Sequence, residues 1–263
     1  MTRSPRRTAP VTAFAALHHA DEPLLLPNAW DYASARALAA QGFPAVATTS
    51  LGVAAVAGLP DAVAATREET LRLALALGSR PLLLSVDAEG GFSDDPDEVA
   101  RFARELYAVG VAGLNLEDGL APAGRLAAKI AAVKKAVPAL FVNARTDTHW
   151  LGDGDTADTL SRLDAYQAAG ADGVFVPGLT DPRQIAALVR HLDAPLNVLY
   201  SPTGPPVRVL ADAGARRVSL GSLLYRTALG AALRAAAGIR AGRTPDGPSP
   251  SYDEVTALLP PHR

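Results

Sequence analysis

The chain has 263 residues, 25 Lys and Arg against 27 Asp and Glu, a formal net charge of −2, 49% hydrophobic residues, 22 Gly, 21 Pro and no Cys. That is room for one large α/β domain with an ample core, and the missing cysteines exclude a disulfide scaffold, a thiolate-zinc centre, an iron–sulfur cluster and a thiol nucleophile. Balanced charge and only 5% aromatic residues argue against a nucleic-acid or membrane-surface partner, and no apolar run reaches the roughly twenty residues of a membrane span.

Residues 1–10 carry Arg3, Arg6 and Arg7 with no hydrophobic signal core behind them, which reads as the flexible tail of a cytoplasmic protein. His18 and His19 are placed on a surface helix. A strand is expected over 24–27 and a helix over 32–41, and then a phrase begins to recur: a helix end, a Gly, and a short apolar strand closing in polar residues. Its copies start at Gln41-Gly42, Val109-Gly110, Ala169-Gly170 and Ala213-Gly214. The Gly suits the left-handed residue after a helix, and the apolar run suits a buried parallel strand. Further strands are expected over 81–86, 140–143 and 195–199, with helices over 66–78, 96–109, 125–136, 156–169, 182–191, 205–213 and 222–241.

Eight strands alternating with eight helices point to a single-domain (β/α)8 TIM-type barrel over residues 11–242. The competing fold, a doubly wound open sheet, usually has fewer strands and a Gly-rich nucleotide loop, and neither a GxGxxG nor a Walker sequence is present. Residues 243–263, with Pro245, Pro248 and Pro250, form a C-terminal extension that links to a short terminal segment.

In such a barrel the active site lies at the C-terminal ends of the strands. Those ends carry Thr49 and Ser50, then Asp87 and Glu89, then Glu117 and Asp118, then Asn143, Arg145 and Asp147, and later Asn197, Tyr200 and Ser201. Carboxylates at i and i+2 share one side of an extended backbone, so Asp87 and Glu89 form a pair, and Gly90-Gly91 lets the following loop turn closely over what they hold. Hard oxygen donors without His or Cys suit Mg2+ or Mn2+. Arg145 can bind a carboxylate or neutralise an enolate oxygen, or serve in a salt bridge with Asp147 or Glu117. His149 reads as a hydrogen-bonded structural residue, and Gly221-Ser222 is a candidate phosphate cradle at a helix N-terminus.

The phrases Leu26-Pro27-Asn28-Ala29-Trp30-Asp31, Thr48-Thr49-Ser50-Leu51-Gly52, Leu59-Pro60-Asp61, Asp87-Ala88-Glu89-Gly90-Gly91-Phe92, Asn115-Leu116-Glu117-Asp118-Gly119 and Asn143-Ala144-Arg145-Thr146-Asp147 resemble, in the same order and over nearly the whole chain, the isocitrate lyase / phosphoenolpyruvate mutase superfamily. The resemblance implies an α/β barrel, a Mg2+ ion and chemistry through an enolate of a 2-oxo or 2-hydroxy acid. It places Asp87, Glu89 and Glu117 around the metal and Asp61 at the edge of that shell. It makes Thr49-Ser50-Leu51 a backbone cradle for the substrate carboxylate, with Trp30 and Asn197 also at the substrate, and sets Arg145 against the developing oxyanion. The position of Glu89 is more often Asp in the family. A homo-oligomer, dimer or tetramer, with C-terminal helices packed across subunits is also implied, and the Ala-rich run 228–237 suits that role or packing on its own barrel.

The family's lyases carry a loop after the Glu-Asp pair with a Cys acid, and its mutases carry a Lys and an Asn there. Here Gly119-Leu120-Ala121-Pro122 leads straight to the next helix with neither signature. Three readings follow: a Mg2+-dependent carbon–carbon lyase acting on a small carboxylate or oxo acid, a phosphonomutase or C–C or P–C hydrolase on the same site, and an oxo-acid-binding barrel with weakened catalysis.

Overall fold

The computed structural model describes residues 12–78, 82–245, 247 and 249–260, so the expected tail over 1–10 lies outside the described residues. Among these residues nine strands form one parallel sheet: β1 (Leu24–Leu26), β2 (Asn28–Ala29), β3 (Ala45–Thr48), β4 (Leu83–Asp87), β5 (Val111–Glu117), β6 (Phe141–Arg145), β7 (Gly173–Val176), β8 (Leu196–Leu199) and β9 (Arg217–Ser219). Their order is β1-β9-β8-β7-β6-β5-β4-β3-β2. The first and last members of that order are consecutive in the chain, separated by Pro27 alone, so the sheet closes on itself into a barrel.

The expected eighth of the barrel over 24–27 is thus one stave broken in two, β1 pairing with β9 and β2 with β3. Proline explains the break. Pro27 has no N–H to give to the ladder, although its carbonyl still accepts the Ala47 N–H at 2.8 Å.

Around the barrel run α2 (Tyr32–Ala40), α4 (Arg67–Gly78), α5 (Pro96–Ala108), α6 (Ala123–Ala136), α7 (Thr156–Ala168), α8 (Pro182–His191), α9 (Val207–Asp212) and α10 (Leu223–Arg240). These are the eight helices expected from the sequence. Their starts are chemically marked: the Asp31 side chain caps α2 in a reciprocal box with Ser34, and Asp95-Pro96 and Asp181-Pro182 open α5 and α8 with a capping carboxylate and a proline in the first turn. The recurring glycines Gly42, Gly110, Gly170 and Gly214 all have φ between 85° and 103°, the left-handed turn that delivers each strand. Among the described residues there are three more helices: α1 (Ala13–Leu17), α3 (Ser50–Ala57) and α11 (Tyr252–Leu258), the last packing on α2.

Strand alternation divides the core. Leu84, Leu114, Val142, Leu196 and Val218 point outward into the helix layer, while their neighbours Ser85, Asn115, Asn143, Asn197 and Arg217 are buried inside the barrel. The N-terminal end of the barrel is closed by α1. Phe14 packs edge-on against Phe141 with ring centroids 5.5 Å apart, joined by Leu24, Leu26, Ala45 and Ala47.

His18 departs from expectation. It is 1% exposed, stacks on Phe141 at 4.1 Å and has Nδ1 2.9 Å from the Phe14 carbonyl. Lying four residues after Phe14, it shares the helix face that plugs the barrel. Burial, with Arg217 nearby, lowers its pKa to about 3. His19 remains exposed. On α10, Leu229, Leu233 and Ile239 are exposed, so the Ala-rich run is not packed into its own barrel. No helix among the described residues is long and apolar enough to cross a membrane.

Candidate active site

A cavity of about 380 Å3 opens at the C-terminal ends of the strands. Its polar wall brings together Asp61, Asp87, Glu117, Arg145 and Asp147, with Thr49, Ser50 and Leu51 beside them. Three residues to which the resemblance gives a metal or substrate role do not line it, nor do Asp118, Asn143 and Ser201 of the strand ends. Trp30 packs against Tyr225, ring centroids 5.5 Å apart. Asn197 sits mid-strand in the barrel interior, where its Oδ1 accepts from Ser219 Oγ at 3.2 Å. Glu89 faces the adjoining loop and is 3% exposed.

The placement of Glu89 has a local cause. Its backbone is left-handed, φ 49°, which turns the side chain away from Asp87 rather than parallel to it. Its two oxygens accept from the Ala64 N–H at 2.9 Å and the Thr66 hydroxyl at 2.7 Å. Glu89 therefore ties down the loop that carries Asp61. The i and i+2 geometry expected of an extended strand ends with β4 at Asp87.

Where a turn was expected at Thr49-Ser50-Leu51, α3 begins, and the Ser50 N–H donates to Asp87 Oδ2 at 3.2 Å. Asp87 is also anchored through its own N–H, which donates to Thr48 Oγ1 at 2.9 Å. The proposed phosphate cradle at Gly221 is likewise committed: the Leu220 and Gly221 N–H groups donate to Asn28 Oδ1 at 3.0 and 2.8 Å. His149 is partly buried outside the cavity wall, and burial lowers its pKa.

Arg145 is held from two sides. Nη1 meets Glu117 Oε2 at 2.7 Å, and both Nε and Nη2 lie 2.6 Å from Asp147 Oδ1. Burial would lower its pKa, but these carboxylates outweigh it and the shift is upward. Glu117 is pushed up to about 8 by burial and by Asp87, Asp147 and Glu89, with Arg145 opposing. Asp87 is also raised, first by burial, while Arg145 pulls it down.

Behind this layer stands a residue that strand-end reasoning only listed. Asp118 Oδ1 accepts from the Asp147 N–H and the Leu120 N–H at 3.0 Å each, and Oδ2 accepts from the Tyr166 hydroxyl at 2.7 Å and Arg162 Nη1 at 3.2 Å. Below the cavity, Arg217 is 0% exposed, and although the charge of Asp87 reaches it, no carboxylate among the described residues forms an ion pair with it. Its Nε donates to Ser219 Oγ at 2.9 Å, Nη2 reaches Asn115 Oδ1 at 3.3 Å, and Nη1 has no partner. Burial lowers its pKa to about 9. The signal for Arg217 was present: an arginine at an inward position of a three-residue strand.

Among the described residues no three His, Cys, Asp or Glu side chains come together as a metal-binding group. The donor set still fits Mg2+, which keeps several waters and takes one or two carboxylates plus substrate oxygens. Asp87 and Glu117 are the carboxylates that could hold it, burial raises the proton affinity of both, and Asp61 Oδ1 is buried without a partner. Carboxylates on one wall and a guanidinium beside them can hold a small oxo acid and stabilise negative charge developing on its oxygens.

Comparison with known proteins shows what the chain is similar to. The phosphoenolpyruvate phosphomutase family matches residues 14–240. An uncharacterized protein of Mycobacterium tuberculosis is 43% identical over 94% of this chain and 96% of its own length. The 2-methylisocitrate lyase of Bacillus subtilis is 32% identical over 70% of this chain and 64% of its own. The oxaloacetate decarboxylase of Pseudomonas entomophila is 32% identical over 77% and 75%.

Proposed function

The chain belongs to the phosphoenolpyruvate phosphomutase family within the isocitrate lyase / phosphoenolpyruvate mutase superfamily, and on that basis we propose that it is a Mg2+-dependent lyase that breaks, or in reverse forms, a carbon–carbon bond beside a carboxylate through an enolate. The observation that carries this reading is the convergence of Asp87, Glu117 and Arg145 on one cavity at the strand ends. Asp87 and Glu117 would hold the metal, with Glu89 acting through the loop 61–66 rather than as a ligand. A bound Mg2+ supplies Lewis-acid stabilisation of an oxo-acid oxygen.

The chain's own groups do the rest. Asp61, with its free Oδ1, takes the hydroxyl proton of a 2-hydroxy acid. The adjacent carbon–carbon bond breaks, the hydroxyl carbon becomes an oxo group, and the electron pair stays on the carbon beside the second carboxylate. Arg145 faces the negative oxygen that results. The connection from β5 to α6 is short and its residues 119–122 carry no acidic side chain or thiol, so water returns the proton to carbon. Trp150 and Leu151 form the apolar rim of the cavity. The exposed Leu229, Leu233 and Ile239 of α10 favour a homo-oligomer that covers them.

The test is a panel of 2-hydroxy diacids and triacids, with oxaloacetate, incubated with the purified protein and Mg2+. Release of pyruvate or glyoxylate that stops on chelation is expected. No product from any member overturns the reading.

A further inference from the structure

The floor of the cavity has a polarity that the buried Arg217 imposes. Asn115 lines the cavity. It is paired in register with Asp87 on β4 and with Asn143 on β6, and it precedes Glu117 by two residues, on the same inward face of β5. Its Oδ1 accepts from Asn143 Nδ2 at 2.9 Å and from Arg217 Nη2 at 3.3 Å. No described group accepts from its Nδ2, so that is the end of the amide left to the cavity.

Asn143 alone would not decide which way this amide points. Its own Oδ1 is buried without a partner, so the two amides could turn over together and keep the hydrogen bond between them. Arg217 forbids the reversal, because a guanidinium donates and never accepts, and the turned amide would set N–H against N–H. The guanidinium reaches across the barrel to do this, since β9 and β5 stand four places apart in the strand order. It is held in turn by Ser219, whose Oγ accepts from Arg217 Nε at 2.9 Å and passes its own hydrogen to Asn197 Oδ1 at 3.2 Å.

We propose that Asn115 is a hydrogen-bond donor to the bound oxo acid, and that Arg217 beneath it is the positioning residue that turns the amide N–H2 into the cavity. This rests on the reading of the cavity as an oxo-acid site and deepens it. The wall above is made of acceptors, Asp61, Asp87, Glu117 and Asp147, whereas the floor beside Asp87 is a donor. The oxygen that lies deepest in the site is therefore an acceptor, from a carboxylate, a carbonyl or an enolate.

Calorimetry with Mg2+ and then oxalate tests the donor, on wild type, Asn115→Asp and Asn115→Ala. An added negative charge helps Mg2+ as it hinders oxalate, so the product of the two association constants is nearly blind to charge. That product is expected to fall about tenfold or more in both variants, the loss of one hydrogen bond to a charged group. A product within about threefold of wild type in either folded variant overturns the donor and leaves the lyase reading standing. If wild type with Mg2+ binds no oxalate, both fall. Melting temperatures test Arg217: Asn115→Asp should cost clearly more in an Arg217→Met background than in wild type, because the buried carboxylate then has no cation to accept from. Arg217→Gln supplies the same comparison if Arg217→Met does not fold. Equal costs in the two backgrounds would mean that Arg217 does not set the amide.

Discussion

Glu117 and Arg145 are register partners on neighbouring strands, β5 and β6, and their side chains close a 2.7 Å ion pair at the top of that register. The pair is built by the sheet itself. Asp147, two residues further along, then holds Arg145 from the other side at 2.6 Å. Lysine could keep the charge but not a fork that meets two carboxylates at once. Arg145→Lys is expected to lower kcat by about 10²- to 10³-fold, the usual cost of losing one preorganised donor at a developing oxyanion. Steady-state kinetics on the substrate found by the panel measure it, and a kcat within tenfold of wild type would remove Arg145 from the oxyanion.

Asp87 and Glu89 separate into two jobs. Asp87 faces the cavity, whereas both oxygens of Glu89 are consumed by Ala64 and Thr66. Asp87→Asn should weaken Mg2+ binding at least tenfold in calorimetry. Glu89→Gln should keep most of that affinity but lose about 1–3 kcal/mol of stability, as a hydrogen bond to a charged group is replaced. Equal losses of metal affinity in both variants would return Glu89 to the metal.

Asp118 acts on the site through Asp147, whose N–H it accepts at 3.0 Å, while Tyr166 and Arg162 steady it from α7. Asp118→Asn leaves a side chain of the same shape but sets an amide N–H against donors. Asp147 then loses its anchor, and Arg145 one side of its clamp. A tenfold or larger fall in kcat with KM changed less than threefold is expected, and a change confined to thermal stability would make Asp118 purely structural.

The barrel was legible because its signals are local and repeated: left-handed glycines after helices, acidic caps before them, and short apolar strands with polar ends. Pro27, which cannot donate to the ladder, splits the single strand expected over 24–27 into β1 and β2. At the site, the residues whose direction follows from strand alternation, Asp87, Glu117 and Arg145, converge in the cavity as the pattern requires. Glu89 and Asn197 do not line it, for different reasons. Glu89 lies just past the strand, where φ turns positive and alternation no longer applies, and Asn197 lies two residues below the strand end, deep in the barrel. The burial of His18 is not legible because a five-residue helix has too little pattern to show which face it buries.

The buried His18 gives the fold a pH dependence of known sign. Its pKa is about 3 in the folded chain against an ordinary 6.5, so between these values the unfolded chain binds more protons. Stability then rises with pH. The contribution is complete above about pH 6.5 and is lost as pH falls toward 3, with a slope of up to about 1.4 kcal/mol per pH unit. His18→Gln should flatten the fall in unfolding free energy between pH 6.5 and 4 relative to wild type. Parallel curves would mean that His18 is not buried in the neutral form.

The plug offers a stricter test, because the two sides of one contact can be changed separately. Gly113 lies at the start of β5, and a Cβ there would come within 2.5 Å of Phe14 Cε1. The floor of the barrel is therefore shaped for the ring of α1, not merely covered by it. Phe14→Ala removes a fully buried ring and should cost about 3–5 kcal/mol. Gly113→Ala should cost about 1–3 kcal/mol by overpacking against that ring. In the double variant the added methyl enters the space the ring vacated, so the clash disappears and the combined loss is smaller than the sum of the single losses. Denaturant melts of the four proteins measure this coupling, and strict additivity would place α1 away from Gly113 in solution.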